Sequence, residues 1–446
     1  MTPSLSSLPR RWWWPLIFFQ LYLSLTVWLL FYGPWPWSIE NPGELFVYLM
    51  AAQVSIAAGY LLSWRRVVAV PHCPGGDPQT VRDGLAMFKT ALWVTAVLAV
   101  PSSLSRTGAW LPQVVDGIDN AGLAYNENFD RLDGGNAFVV VEYLRMLASP
   151  WLTALMPLTV LYWSRIDWGT RLFALTLIVF NLATYLATGV NKGIADLVVT
   201  LPWLVLLAVT LGTLKIERIG LKLTISSASL LGAFLIFFGQ GQQQREGSGS
   251  EYGTFFTGVA VLQADSGHFI SALLPEQFRL IFEALSRYVV HGYYALSLAL
   301  QTDSNSTFGF GHSMFLARNA DLAFGTDYFV SQSIPGLLER DHLWGMFQLW
   351  HSIYPWLASD FGFIGALFIL GVLAYLLGLS WGRALTTGSA PWTVLLFLLL
   401  VLFFYVPANN QVFQSGETFV AFFILLYVVL SGEGQSRLRS SDHAVA

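Results

Sequence analysis

Apolar runs of about 20 residues recur along the whole chain, and that is the length an α-helix needs to cross the hydrocarbon core of a bilayer. Inside that core each span must satisfy its own backbone N–H and C=O groups, so a chain with many such runs is committed to bundled helices. The runs predict ten transmembrane helices, at roughly 12–32, 44–64, 87–102, 147–163, 171–189, 195–213, 222–240, 357–380, 390–407 and 417–431. Only 11% of the 446 residues are charged, against roughly 25% in soluble proteins. That excludes a soluble domain and a nucleic-acid partner. The first run follows Arg10 and Arg11 and is longer than a signal-peptide core, so a retained first helix is expected. Cys73 is the single cysteine, which leaves no intramolecular disulfide.

The expected organisation is an all-α integral membrane protein in four parts. Residues 1–240 hold seven spans with an outer loop at about 103–146, and 241–356 form a large outer loop. Residues 357–432 hold the last three spans, and 433–446 form a disordered cytoplasmic tail. Lys and Arg favour cytoplasmic loops. Placing both termini in the cytoplasm puts 14 of the 23 Lys and Arg residues inside, leaving 9 outside with 21 of the 27 acidic residues. The alternation holds loop by loop, so ten spans with both ends inside is the expected topology. Within the large loop, the apolar segment 286–300 contains Arg287 and His291 and reads as a helix lying at the membrane interface.

Chemistry-bearing groups cluster at the outer boundary. There is no cysteine pair, His-Glu-x-x-His motif, EF-hand loop, Walker loop or dinucleotide fingerprint, so neither a metal nor a cofactor is expected. In "ATGVNKGIADL", residues 187–197, Lys192 and Asp196 stand four apart and share a helix face. Lys192 either snorkels to the interface and pairs with Asp196 or meets a lipid-borne phosphate. In 285–315, Arg287 and His291 share one face, followed by Tyr293, Tyr294 and the Gly309–Gly311 turn. A guanidinium there either anchors the helix at the headgroups or forks onto phosphate oxygens. Arg245, just past a span, either is solvated or paired with an acidic loop residue, or meets a phosphate, whereas Arg279, Arg318 and Arg340 read as solvated or paired with acidic loop residues.

The last cluster precedes the eighth span, in "WHSIYPWLASDFGFIGALFILG", residues 350–371. His351 is either a hydrogen-bonded boundary residue or a general base, since histidine titrates near neutrality. Asp360 is a helix cap, a partner for an arginine, or a member of the site. Trp344, Trp350, Tyr354 and Trp356 are an interfacial aromatic belt or a stacking surface for sugar rings.

Three pieces in this order resemble the bacterial O-antigen polymerase and ligase superfamily: "GVNKGIADL", the arginine-to-Gly-x-Gly segment from Arg287 to Gly311, and "HSIYPWLASDFGFIG". The resemblance covers about residues 140–400 and leans towards a repeat-unit polymerase, with Lys192 where the pattern usually has arginine and Ser352 after the histidine. It implies a GT-C-like glycosyltransferase of the bacterial inner membrane with a large periplasmic loop, acting on undecaprenyl-diphosphate-linked oligosaccharide. It implies His351 as the catalytic base, with Lys192, Arg245, Arg287, His291, Tyr354 and Asp360 binding substrate. A flippase and a chain-length regulator would be its partners. The alternatives are a ligase that moves the finished glycan to lipid A-core or protein, and a transporter or flippase of lipid-linked glycans.

Overall fold

The computed structural model describes residues 8–69, 77–120, 123–125, 127, 138–216, 219–245, 253–303 and 305–445. Among the described residues, six helices are long and apolar enough to cross a membrane: Arg10–Tyr32, Pro42–Val68, Pro78–Thr107, Trp168–Ala187, Lys192–Thr210 and Ile353–Thr387. The pair Val139–Leu147 and Ser149–Leu161, bent by 60°, makes a seventh if it counts as one span. The chain is a mostly helical, multi-pass membrane protein. The expected spans at 390–407 and 417–431 are shorter apolar helices, and 222–240 lies in Ile219–Arg245, whose last two turns are rich in glutamine.

Local chemistry sets several helix ends. Asp77 and Asp167 accept hydrogen bonds from the backbone N–H groups of Thr80 and Thr170, at 3.2 and 3.0 Å, and so cap the helices that follow. Gly108 ends Pro78–Thr107 with φ 73°, a left-handed closure that glycine takes without strain. This helix is 30 residues long where the sequence predicts a short span, and it carries Arg106 in its last turn. The expected fourth span instead begins as the separate helix Val139–Leu147. Pro150, in the first turn after the break, has no N–H to continue the ladder. The bend swings Glu142 and Arg145 towards the neighbouring helices.

The tightest packing joins Pro42–Leu62 to Ile353–Thr387. A Cβ on Gly59 would stand 1.9 Å from the Gly371 carbonyl oxygen, so only glycine allows this approach. Ser55 Oγ donates to the Leu367 carbonyl at 2.6 Å in the same seam. Gly362, with φ 67° and ψ 170°, breaks Ile353–Thr387 into a short leading helix and the span proper. Ala390–Tyr405 lies in the middle of the bundle with most of its side chains buried.

Segment 286–300 belongs to Glu276–Ala299, which packs on Trp14–Tyr32 and Ile219–Arg245 and buries Val290, Tyr293, Leu296 and Ala299. Its apolar face has protein to pack against. The last helix, Gly416–Val445, opens with Gly416 and Glu417. A two-stranded antiparallel hairpin, Thr254–Phe256 with Val261–Gln263, lies beside Glu276–Ala299.

Candidate functional site around Lys192

Four helices bring charged side chains together at one end of the bundle, and a fifth adds a tyrosine. Arg106 comes from the last turn of Pro78–Thr107, and Glu142 and Arg145 from the tilted helix. Lys192 and Asp196 open Lys192–Thr210, Glu417 opens the last helix, and Tyr185 stands near the end of Trp168–Ala187. Arg145 forks onto Glu417, with Nε at 2.7 Å from Oε1 and Nη2 at 3.0 Å from Oε2. Arg106 reaches the same carboxylate at 2.6 Å and Glu142 at 3.5 Å. Glu142 also accepts from Ser105 Oγ at 2.8 Å. Lys192 Nζ donates to Asp196 Oδ2 at 2.7 Å, while Asp196 Oδ1 is buried with no hydrogen-bond partner.

Three cavities meet at Lys192. The largest, about 650 Å³, is a groove between Lys192–Thr210 and Ile219–Arg245. Its walls run from Ala195 to Leu206 on one helix and from Leu223 to Phe238 on the other, so at about 1.5 Å per residue it is roughly 20 Å long. These walls are almost entirely apolar. Its head is polar, lined by Asn191, Lys192, Tyr405, Asn409 and Gln411. Asn191 is only 7% exposed, yet among the described residues neither its amide nitrogen nor its amide oxygen has a partner, and it caps nothing although it sits at the N-cap of its helix. A buried amide left so is costly unless a ligand completes it. The second cavity, about 490 Å³, is lined by Arg106, Glu142, Tyr143, Tyr185, Lys192, Phe315, Asn319 and Glu417. A third, about 160 Å³, lies deeper, against Arg145, Asn181, Lys192, Asp196 and Glu417.

Of the residues singled out in the sequence, Lys192 lines all three cavities and makes the expected pair with Asp196, which lines the third, while Trp350 lines the groove. His291 is buried and fully used: Nδ1 donates to the Arg287 carbonyl at 3.1 Å and Nε2 accepts from the Trp350 N–H at 2.9 Å. Burial pushes its pKa down to about 3. It thereby fixes Trp350, whose ring lines the groove head. His351 is 1% exposed, with Nδ1 3.1 Å from the Leu349 carbonyl and Nε2 buried without a partner. Burial holds this ring at about 3 as well, and His351 lines none of the three cavities.

The other candidates brace the fold. Arg287 packs against Phe255 and Trp35, at 4.8 and 5.6 Å from the ring centroids, and donates to the Thr254 carbonyl at 3.3 Å. It holds the hairpin against Glu276–Ala299 and does not face the groove. Tyr354 is buried between Tyr48 and Tyr293. Asp360 gathers the 307–312 turn, accepting from the Gly309 N–H at 2.9 Å, the His312 N–H at 2.7 Å, His312 Nδ1 at 2.8 Å and Thr307 Oγ1. Arg245 ends its helix, and its side chain lies outside the described residues. Among the described residues, no three His, Cys, Asp or Glu side chains come together as a metal site requires.

Sequence reasoning missed Arg106, Glu142, Arg145 and Glu417. The available signal was their position as isolated charges within a turn or two of an apolar helix end. Comparison with protein-family models, with curated proteins and with solved structures gives no match for this chain.

Proposed function

We propose that this protein is a membrane-embedded glycosyltransferase that polymerises undecaprenyl-diphosphate-linked oligosaccharide repeat units on the outer face of a bacterial inner membrane. In this reading the chain crosses the membrane ten times in a GT-C-like arrangement, with both termini cytoplasmic and the large loop 241–356 in the periplasm. One observation carries the proposal: the apolar groove about 20 Å long that ends at Lys192 and the unpartnered amide of Asn191. A polyprenyl tail fits such walls, and its diphosphate then lies at the polar head.

The head suits an anion for two further reasons. Lys192 and Asn191 begin a 19-residue helix, so the positive end of the helix dipole and its first N–H groups point the same way. The ammonium sits where surrounding apolar walls strengthen its field. Transfer then needs one displacement. An acceptor hydroxyl oxygen attacks the anomeric carbon of the donor sugar, and the bond from that carbon to the diphosphate oxygen breaks. The leaving electron pair stays on the diphosphate, which Lys192 and Asn191 stabilise. The hydroxyl proton passes to Glu142, a carboxylate that lines the open cavity on the other side of Lys192. A single displacement inverts the anomeric configuration.

His351 does not carry the proton in this account; its ring bonds the Leu349 carbonyl, while His291 positions Trp350 at the groove head. The charges lie in the end turns of their helices, which favours chemistry at a surface over carriage through the bilayer centre. Purified protein in liposomes with lipid-linked repeat units should yield a ladder of lengthening glycans. A single transfer onto lipid A-core would favour a ligase, and movement across the bilayer without bond formation would favour a transporter.

A further inference from the structure

The groove accounts for one substrate, but a polymerase joins two. The second cavity is built from different chemistry, with Tyr143, Tyr185 and Phe315 among Arg106, Glu142 and Asn319. Its 490 Å³ lies within the roughly 300–1,000 Å³ range of small-ligand sites. Aromatic faces cover the C–H faces of sugar rings, while carboxylate, guanidinium and amide groups pair with hydroxyls. A polyprenyl chain has no use for such walls. Glu417 is clamped by two arginines, but Glu142 is held more loosely, at 3.5 and 4.0 Å from the guanidiniums, and its side chain is 30% exposed.

The two cavities share only Val190 and Lys192 among their lining residues. Molecules filling both would therefore meet at the Lys192 ammonium, where the donor's diphosphate leaves. We infer that the second cavity is the acceptor site, taking the non-reducing end of an oligosaccharide through Tyr143, Phe315, Asn319 and Glu142. This rests on the donor reading of the groove. Tyr143 is 48% exposed and Asn319 is exposed as well, so replacing them leaves the core intact.

Two probes separate the sites in protein held in nanodiscs. One is undecaprenyl diphosphate without sugar; the other is the oligosaccharide freed from lipid-linked repeat units by mild acid. Tyr143→Ala and Asn319→Ala should each raise the Kd of the oligosaccharide about tenfold, roughly the loss of one good contact, and leave undecaprenyl diphosphate binding unchanged. Lys192→Ala should do the reverse to the lipid probe. If Tyr143→Ala and Asn319→Ala leave the oligosaccharide Kd where it was, the acceptor assignment is wrong while the donor reading stands. If Lys192→Ala leaves lipid binding intact, the donor reading fails first.

Discussion

Around His351 polar side chains are mostly spent on backbone, whereas around Lys192 they surround empty space. His291 uses both ring nitrogens, Asp360 collects four donors from one turn, and Arg287 is packed between two rings. His351 Nε2, Ser352 Oγ and Trp356 Nε1 are the exceptions in that corner, and none of these residues lines one of the three cavities. At Lys192, three cavities converge on one ammonium, with an unpartnered amide and an unpartnered carboxylate oxygen beside it. Similar residue types thus serve different ends: satisfied groups fix shape, and unsatisfied groups beside a cavity await a ligand.

Substitutions can break or sharpen this contrast. The largest effect on stability is expected at Arg145, whose side chain is 7% exposed and forked onto Glu417. Arg145→Ala leaves that carboxylate with Arg106 alone and should cost about 3–5 kcal/mol, read as a fall in unfolding midpoint in detergent. Asp360→Asn should cost about 1.5–3 kcal/mol, since the turn loses its charge-assisted hydrogen bonds, while glycan transfer by the folded fraction persists. A total loss of transfer in that fraction would move the site towards Asp360.

The buried histidines predict a pH dependence. Both His291 and His351 are held near 3, below the ordinary 6.5, so the folded state keeps them neutral while the unfolded chain protonates them. Their contribution is fully present above 6.5 and is lost as pH falls from there towards 3, at about 1.4 kcal/mol per unit for each ring. A urea or thermal series between pH 7 and pH 4 should show that slope, and replacing His291 with Phe should reduce it. The smallest change is expected for Asn191→Ala, which should weaken undecaprenyl diphosphate binding about tenfold without lowering stability. An unchanged Kd would mean that the empty amide is not part of the head.

Much of the fold was legible because apolar runs report spans directly. Spacing alone also signalled the Lys192–Asp196 pair, since residues four apart share a helix face. The charge cluster was not legible: Arg106, Arg145 and Glu417 are isolated charges up to 311 positions apart, joined only when five helices pack. The bends at Ala148 and Gly362 were equally hidden, because proline and glycine are common in membrane helices without breaking them. His351 drew notice through its place beside a span, but local sequence does not say which way a ring turns. Packing turns it inward, away from the cavities.

The most direct test compares two variants in one ladder assay, with folded protein reconstituted at equal amounts and supplied with lipid-linked repeat units. Lys192→Ala should lose roughly 10²–10³ in turnover, the usual consequence of removing one group that stabilises a developing charge. His351→Asn should stay within about threefold of the parent chain, less than 1 kcal/mol of barrier. The reverse result, full ladders from Lys192→Ala and none from His351→Asn, would contradict the account and return the chemistry to the histidine.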